Sequence, residues 1–68
     1  MKSLSSLEKR KLQFYKDSYG DMSAEQALAF ALEAEVMCKS VGAFDTAFVH
    51  FKKSQIFYET YAELLEKE

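Results

Sequence analysis

Apolar residues recur at three- and four-residue spacing in three stretches of the chain, the mark of one-sided helices. The clearest stretch runs from Ala27 to Tyr61, where two such patterns meet at Ser40-Val41-Gly42-Ala43. Before that turn lies a stripe of small residues: Ala24, Ala27, Ala31, Ala34 and Cys38. After it comes a stripe of large ones: Phe44, Phe48, Phe51 and Tyr58. Small side chains facing large ones let two helix backbones approach while rings fill the gap. The pattern predicts an antiparallel helical hairpin as the core of the protein.

Start and stop signals bound three helices. Ser5 with Glu8, and Ser23 with Gln26, have the spacing of capping boxes. Gly20 and Gly42 are the expected stops, Gly20 as a left-handed C-terminal glycine and Gly42 at positive φ. The helices are predicted over about residues 5–19, 23–41 and 44–66. In the first, Leu4, Leu7, Leu12, Phe14, Tyr15 and Tyr19 fall broadly on one side. In the second, Phe30, Met37 and Val41 flank the small stripe on one side, and Leu28 and Leu32 on the other. An apolar arc that wide calls for more than one neighbour.

The third helix is predicted as a rod of about 33 Å, too long for the first to shield. Its inner face is expected to hold Phe44, Ala47, Phe48, Phe51, Tyr58, Ala62 and Leu65, with Phe57, Tyr61 and Leu64 on a flank. Val49 and Ile56, seven residues apart, interrupt its polar arc. The fold class is all-α: one small domain over residues 1–68, a helix 2–helix 3 hairpin with a shorter N-terminal helix packed across it.

The residues Gly42, Phe44, Ala47, Phe51 and Ser54 stand in the order G-x-F-x-x-A-x-x-x-F-x-x-S. This order resembles a tetratricopeptide repeat, and the similar hairpin of microtubule-interacting-and-transport domains. The resemblance covers about residues 42–54 and implies the geometry of the hairpin. Tetratricopeptide arrays bind peptides in a groove built by several repeats, so that activity does not carry over to one hairpin.

With 68 residues the chain makes one domain at most. A chain so short buries only about 60% of its unfolded surface and commonly relies on disulfides, a metal or a partner chain. Cys38 is its one cysteine and His50 its one histidine, which excludes a disulfide framework and a standard zinc site. No cofactor is expected, and Cys38 reads as a small buried residue, so no catalytic pair is assigned to it and His50. Hydrophobic residues make up 49% of the chain, too many for a disordered segment. No apolar run approaches the roughly 20 residues of a membrane span, and the start, MKSLSSLEKRK, has no apolar signal core. The expectation is a soluble cytoplasmic protein with a reduced thiol and no membrane contact.

Charge is unevenly spread. Residues 1–20 carry five basic and two acidic side chains, a net of +3. Residues 21–68 carry four basic and nine acidic ones, a net of −5. The two parts can attract each other within one fold or between copies. Lys9, Arg10, Lys11 and Lys16 are candidate phosphate contacts, but a solvated helix face fits the sequence pI of about 5.4 better.

Surplus apolar residues on the third helix carry the functional expectation. Val49, Ile56, Phe57, Tyr61, Leu64 and Leu65 are read as a dimer or partner interface, since soluble monomers rarely expose large apolar patches. The function expected is a non-catalytic protein-interaction module or small regulator. Its partners would be a second copy of itself, a larger protein, or both. The alternative is a small nucleic-acid-binding protein using the basic first helix.

Overall fold

A computed structural model describes residues 3–68; Lys2, one of the basic residues counted above, lies outside them. Three α-helices follow one another: α1 (Ser6–Tyr19), α2 (Ala24–Val41) and α3 (Thr46–Lys67). Both expected capping boxes form. The Glu8 amide donates to Ser5 Oγ (3.2 Å) and the Ser5 amide to Glu8 Oε1 (3.0 Å). The Gln26 amide donates to Ser23 Oγ (3.1 Å) and the Ser23 amide to Gln26 Oε1 (2.9 Å). Each reciprocal pair satisfies two backbone donors that a helix start otherwise leaves free.

The third helix starts later than its apolar pattern suggests. Asp45 is its N-cap, with its carboxylate accepting from the Ala47 amide at 2.8 Å. Aspartate is among the strongest N-caps because its short side chain reaches the free amides of the first turn. Phe44 therefore lies in the turn, fully exposed, and not on the inner face of a helix.

Gly20 and Gly42 end α1 and α2 at φ +80° and +81°, as positive-φ stops. Their ψ values of 166° and 157° depart from a left-handed cap: both lie in the extended mirror region that is essentially restricted to glycine. Each amide closes the last turn of its helix, Gly20 onto the Lys16 carbonyl (2.9 Å) and Gly42 onto the Cys38 carbonyl (3.3 Å). The chain then leaves at once in an extended direction, which keeps both connections short.

Helices α2 and α3 form the expected antiparallel hairpin. Phe30 stacks on Tyr58 at one end (centroids 5.1 Å apart), while the Cys38 thiol lies 4.0 Å from the Phe48 carbonyl nearer the turn. Ala27, Ala31, Ala34 and Cys38 are buried along the contact. Gln55 is buried too, its amide donating to Glu59 Oε1 (3.0 Å) and accepting from Lys52 Nζ (3.3 Å). A buried amide is tolerable where both its ends are bonded.

The best-enclosed packing, however, is not at the turn. Helix α1 crosses the C-terminal half of α3, and there Leu12, Tyr15, Ala27, Tyr61, Ala62 and Leu64 make one buried cluster. Leu4, Met22 and Leu65 pack against its edge. Tyr61 is wholly enclosed; its ring stacks on Tyr15 (5.7 Å, 19°) and its hydroxyl donates to the Gly20 carbonyl at 2.8 Å. Nearer the turn only two helices are present, so Phe48 and Phe51 are half-buried. On α1 the buried strip is narrow, because only α3 approaches it closely along its length: Leu12 and Tyr15 are covered, while Leu7 and Phe14 face outward. Among the described residues no helix is long and apolar enough to cross a membrane.

Two outcomes are expected of the fold. Gly42→Ala should destabilise by about 1–2 kcal/mol in denaturant titrations, because the mirror-region backbone costs alanine about 1–3 kcal/mol and only part is offset in the unfolded chain. Nothing lies within 4 Å of the added carbon, so backbone strain is the whole effect. Unchanged stability would contradict this conformation.

The second concerns alkaline pH. Burial raises the Tyr61 and Tyr19 hydroxyls above the ordinary value of 10.0, helped by Asp21 at Tyr61 and by Tyr58 at Tyr19. A raised pKa on an acid means that folding favours its neutral form. The contribution is therefore complete below pH 10 and is lost as pH climbs through the raised values. A Tyr61 phenolate would also face the Gly20 carbonyl with no proton between them. Melting temperature followed from pH 8 to pH 11 should fall above about pH 10, and should fall less steeply in Tyr61→Phe.

Candidate interaction surface

The six residues read from sequence as an interface do not form one surface. Tyr61 and Leu64 are buried inside the chain, and Leu65 is half-buried against the same core. Phe57 is partly covered by the rings of Tyr15 (6.2 Å) and Tyr19 (6.1 Å). Val49 and Ile56 remain exposed, on the side of α3 turned away from α2. The correction has a simple cause. Helix α1 lies on the very stretch of α3 expected to meet a second copy, and it covers the residues that the hairpin alone would leave bare.

Helix α2 exposes a longer run of apolar residues. That helix lies along α3, with no close backbone approach to α1, though its Ala27 reaches the cluster that α1 helps to form. Leu28, Leu32 and Val36 stand on its free side, exposed at 43%, 62% and 60%. They follow one another at four-residue steps, so they drift by only about 40° each around the helix. On the opposite flank Phe30 and Met37 are exposed at 44% and 42%. Leu32, Glu33, Val36 and Met37 line a shallow open depression between the two flanks. The wide apolar arc expected of α2 is present, but its flanks lack the cover that arc calls for. The signal of this exposed strip was the apolar residue on the far side of the small stripe, which a single hairpin partner does not reach.

The charges divide differently from the apolar residues. Lys16 pairs with Glu68 and Lys67 with Glu8, both at 3.0 Å; the first joins the basic N-terminal part to the acidic C-terminal part within one chain, and the second runs the opposite way. The Glu8 carboxyl is held below its usual range by the Ser5 amide and then by Lys67. The Lys16 ammonium is raised by its hydrogen bond to Glu68. Both pairs are solvent-exposed and clamp α1 to the end of α3 only weakly.

The four candidate phosphate contacts are not brought together. Lys9 and Lys16 share one side of α1, where with Ser3, Leu4, Leu12, Gln13 and Glu68 they line an open cleft. Arg10 and Lys11 lie about 100° and 200° further round the helix. A phosphate-binding face would need them on one side.

Cys38 is buried beside the Phe48 carbonyl, and His50 is exposed. Among the described residues, no three His, Cys, Asp or Glu side chains are grouped to hold a metal ion. The enclosed thiol leads to a direct measurement. Cys38 should react with a thiol reagent far more slowly in the native protein than in denaturant, since reaction needs an accessible thiolate. Equal rates in the two states would contradict the packing of the hairpin.

Compared with known proteins, the chain matches no family model, no curated protein and no solved structure. The comparisons leave the resemblance of residues 42–54 to a tetratricopeptide hairpin where the sequence put it.

Proposed function

We propose that this protein is a non-catalytic interaction module that works by docking and that associates with a second copy of itself. One observation carries the reading: α2 is apolar on both flanks as well as on its buried side, yet both flanks stay exposed at Leu28, Leu32, Val36, Phe30 and Met37. A helix with apolar residues around most of its circumference ordinarily sits inside a bundle, not at its edge. A contiguous exposed strip such as Leu28, Leu32 and Val36 is the usual mark of an interaction surface. A short chain with one cysteine also gains most from a partner chain. The lone buried thiol fits a reducing compartment such as the cytoplasm. Use of α1 as a nucleic-acid contact is the less favoured reading, because its basic residues are spread around the helix and Lys16 is paired.

Sedimentation equilibrium tests the proposal. The chain has a mass of 7.8 kDa, and the expected species at micromolar concentrations is twice that. Leu32→Glu should return it to a single-chain mass without unfolding it, since that side chain is mostly exposed and glutamate is a good helix former. A single-chain mass for the unaltered protein at several hundred micromolar would overturn self-association.

A further inference from the structure

The free side of α2 has a symmetry that points to how two copies meet. Around Leu32, Leu28 and Val36 each lie four residues away, and Glu25 and Lys39 each lie seven away. At about 100° per residue, all five fall within about 40° of Leu32 around the helix. They form one straight seam of about 21 Å, with apolar residues in the middle and opposite charges at its ends. Glu25 and Lys39 are both exposed.

Two copies can lie along this seam in parallel or antiparallel. In parallel, Glu25 faces Glu25 of the other copy and Lys39 faces Lys39, so like charges oppose at both ends. In antiparallel about Leu32, each Glu25 faces a Lys39, Leu28 faces Val36, and Leu32 meets its own copy on the axis. The two helix dipoles then also oppose, which is the favourable arrangement. Ala29, small and exposed, stands opposite Glu35 in that register, so Glu35 is not crowded. Glu35 already holds Lys39 within its own chain at 3.2 Å, and the second copy's Glu25 would complete a carboxylate–ammonium–carboxylate cluster at each end. A self-complementary patch of this kind is what a two-fold interface requires.

We infer that the protein forms a two-fold dimer through antiparallel α2 helices, with Leu32 at the axis and Glu25 facing Lys39 at both ends. This inference rests on the self-association proposed above and names its surface and register. The leucines and valine supply the affinity. The charges set the direction, because exposed pairs contribute little attraction while their reversal places like charges together twice in one interface.

The test is charge reversal and its rescue, read as dimer dissociation constants by sedimentation equilibrium. Glu25→Lys and Lys39→Glu should each weaken the dimer by about tenfold at low salt. The double variant should recover to within about threefold of the unaltered protein. Cross-linking supplies a second readout in a Cys38→Ala background. Glu25→Cys mixed with Lys39→Cys should form a disulfide-linked pair, and neither variant alone should. Cross-linking of each variant with itself would mean a parallel seam and would overturn the inference. So would a dimer whose constant ignores all three charge variants, which would place self-association on another face and leave the proposed function standing. A single-chain mass for the unaltered protein would remove both together.

Discussion

The enclosure of Tyr61 is the constraint on which the rest of the structure depends. Its ring lies between α1 and the hairpin, stacked on Tyr15, and its hydroxyl bonds the carbonyl of the glycine that ends α1. One side chain thus joins three parts of the chain: the third helix, the first helix, and the connection from the first to the second. A phenol suits the place because its body is apolar and its tip needs a buried acceptor. A chain of 68 residues has few positions where three walls can close on one ring. The surrounding small residues, Ala27 and Ala62, are what allow the walls to come near.

Away from that centre the molecule runs short of walls. It measures 40 × 19 × 19 Å, and its long axis exceeds the length of α1. Toward the turn two helices face each other through Ala31, Ala34 and Cys38, and the contact is close but thin. Rings placed there stay half in solvent, as Phe48 and Phe51 do. The same shortage leaves the outer side of α2 without cover. The fold and the bare surface thus have one cause: an apolar chain with one helix fewer than its faces require.

Much of this was legible from residue spacing. The Ser5–Glu8 and Ser23–Gln26 pairs and the two glycines located both ends of α1 and of α2 to within about a residue, because each of these ends is fixed by local hydrogen bonds. The start of α3 was misplaced because Phe44 matched the helical period while Asp45, a residue later, is the better cap. The small stripe on α2 marked the hairpin contact correctly, since four alanines and a cysteine at helical spacing have little other use. Tyr61 and Leu64 were expected on a surface and are core for a physical reason. Periodicity shows which side of a helix is apolar but not which neighbour reaches it. Leu64 and Val49 look alike in sequence, and only the crossing position of α1 makes the first core and the second surface. The partner of Gln55, an internal amide held by Lys52 and Glu59, was likewise invisible in the pattern.

The uneven placement of the core bears on the order in which the chain assembles. The Cys38–Phe48 contact joins positions only 10 apart, whereas Lys16 and Glu68 are 52 apart. Closing the loop that is about fivefold longer costs about 1.4 kcal/mol more in chain entropy. The inexpensive closure is thus at the turn, where packing is thinnest, and the costly one is where Tyr61 is enclosed. A hairpin formed first brings together the most extensive contact of the chain, and it supplies the surface on which the first helix docks. Chain entropy thus favours closure at the turn first, with Tyr61 enclosed only once the first helix has joined the hairpin.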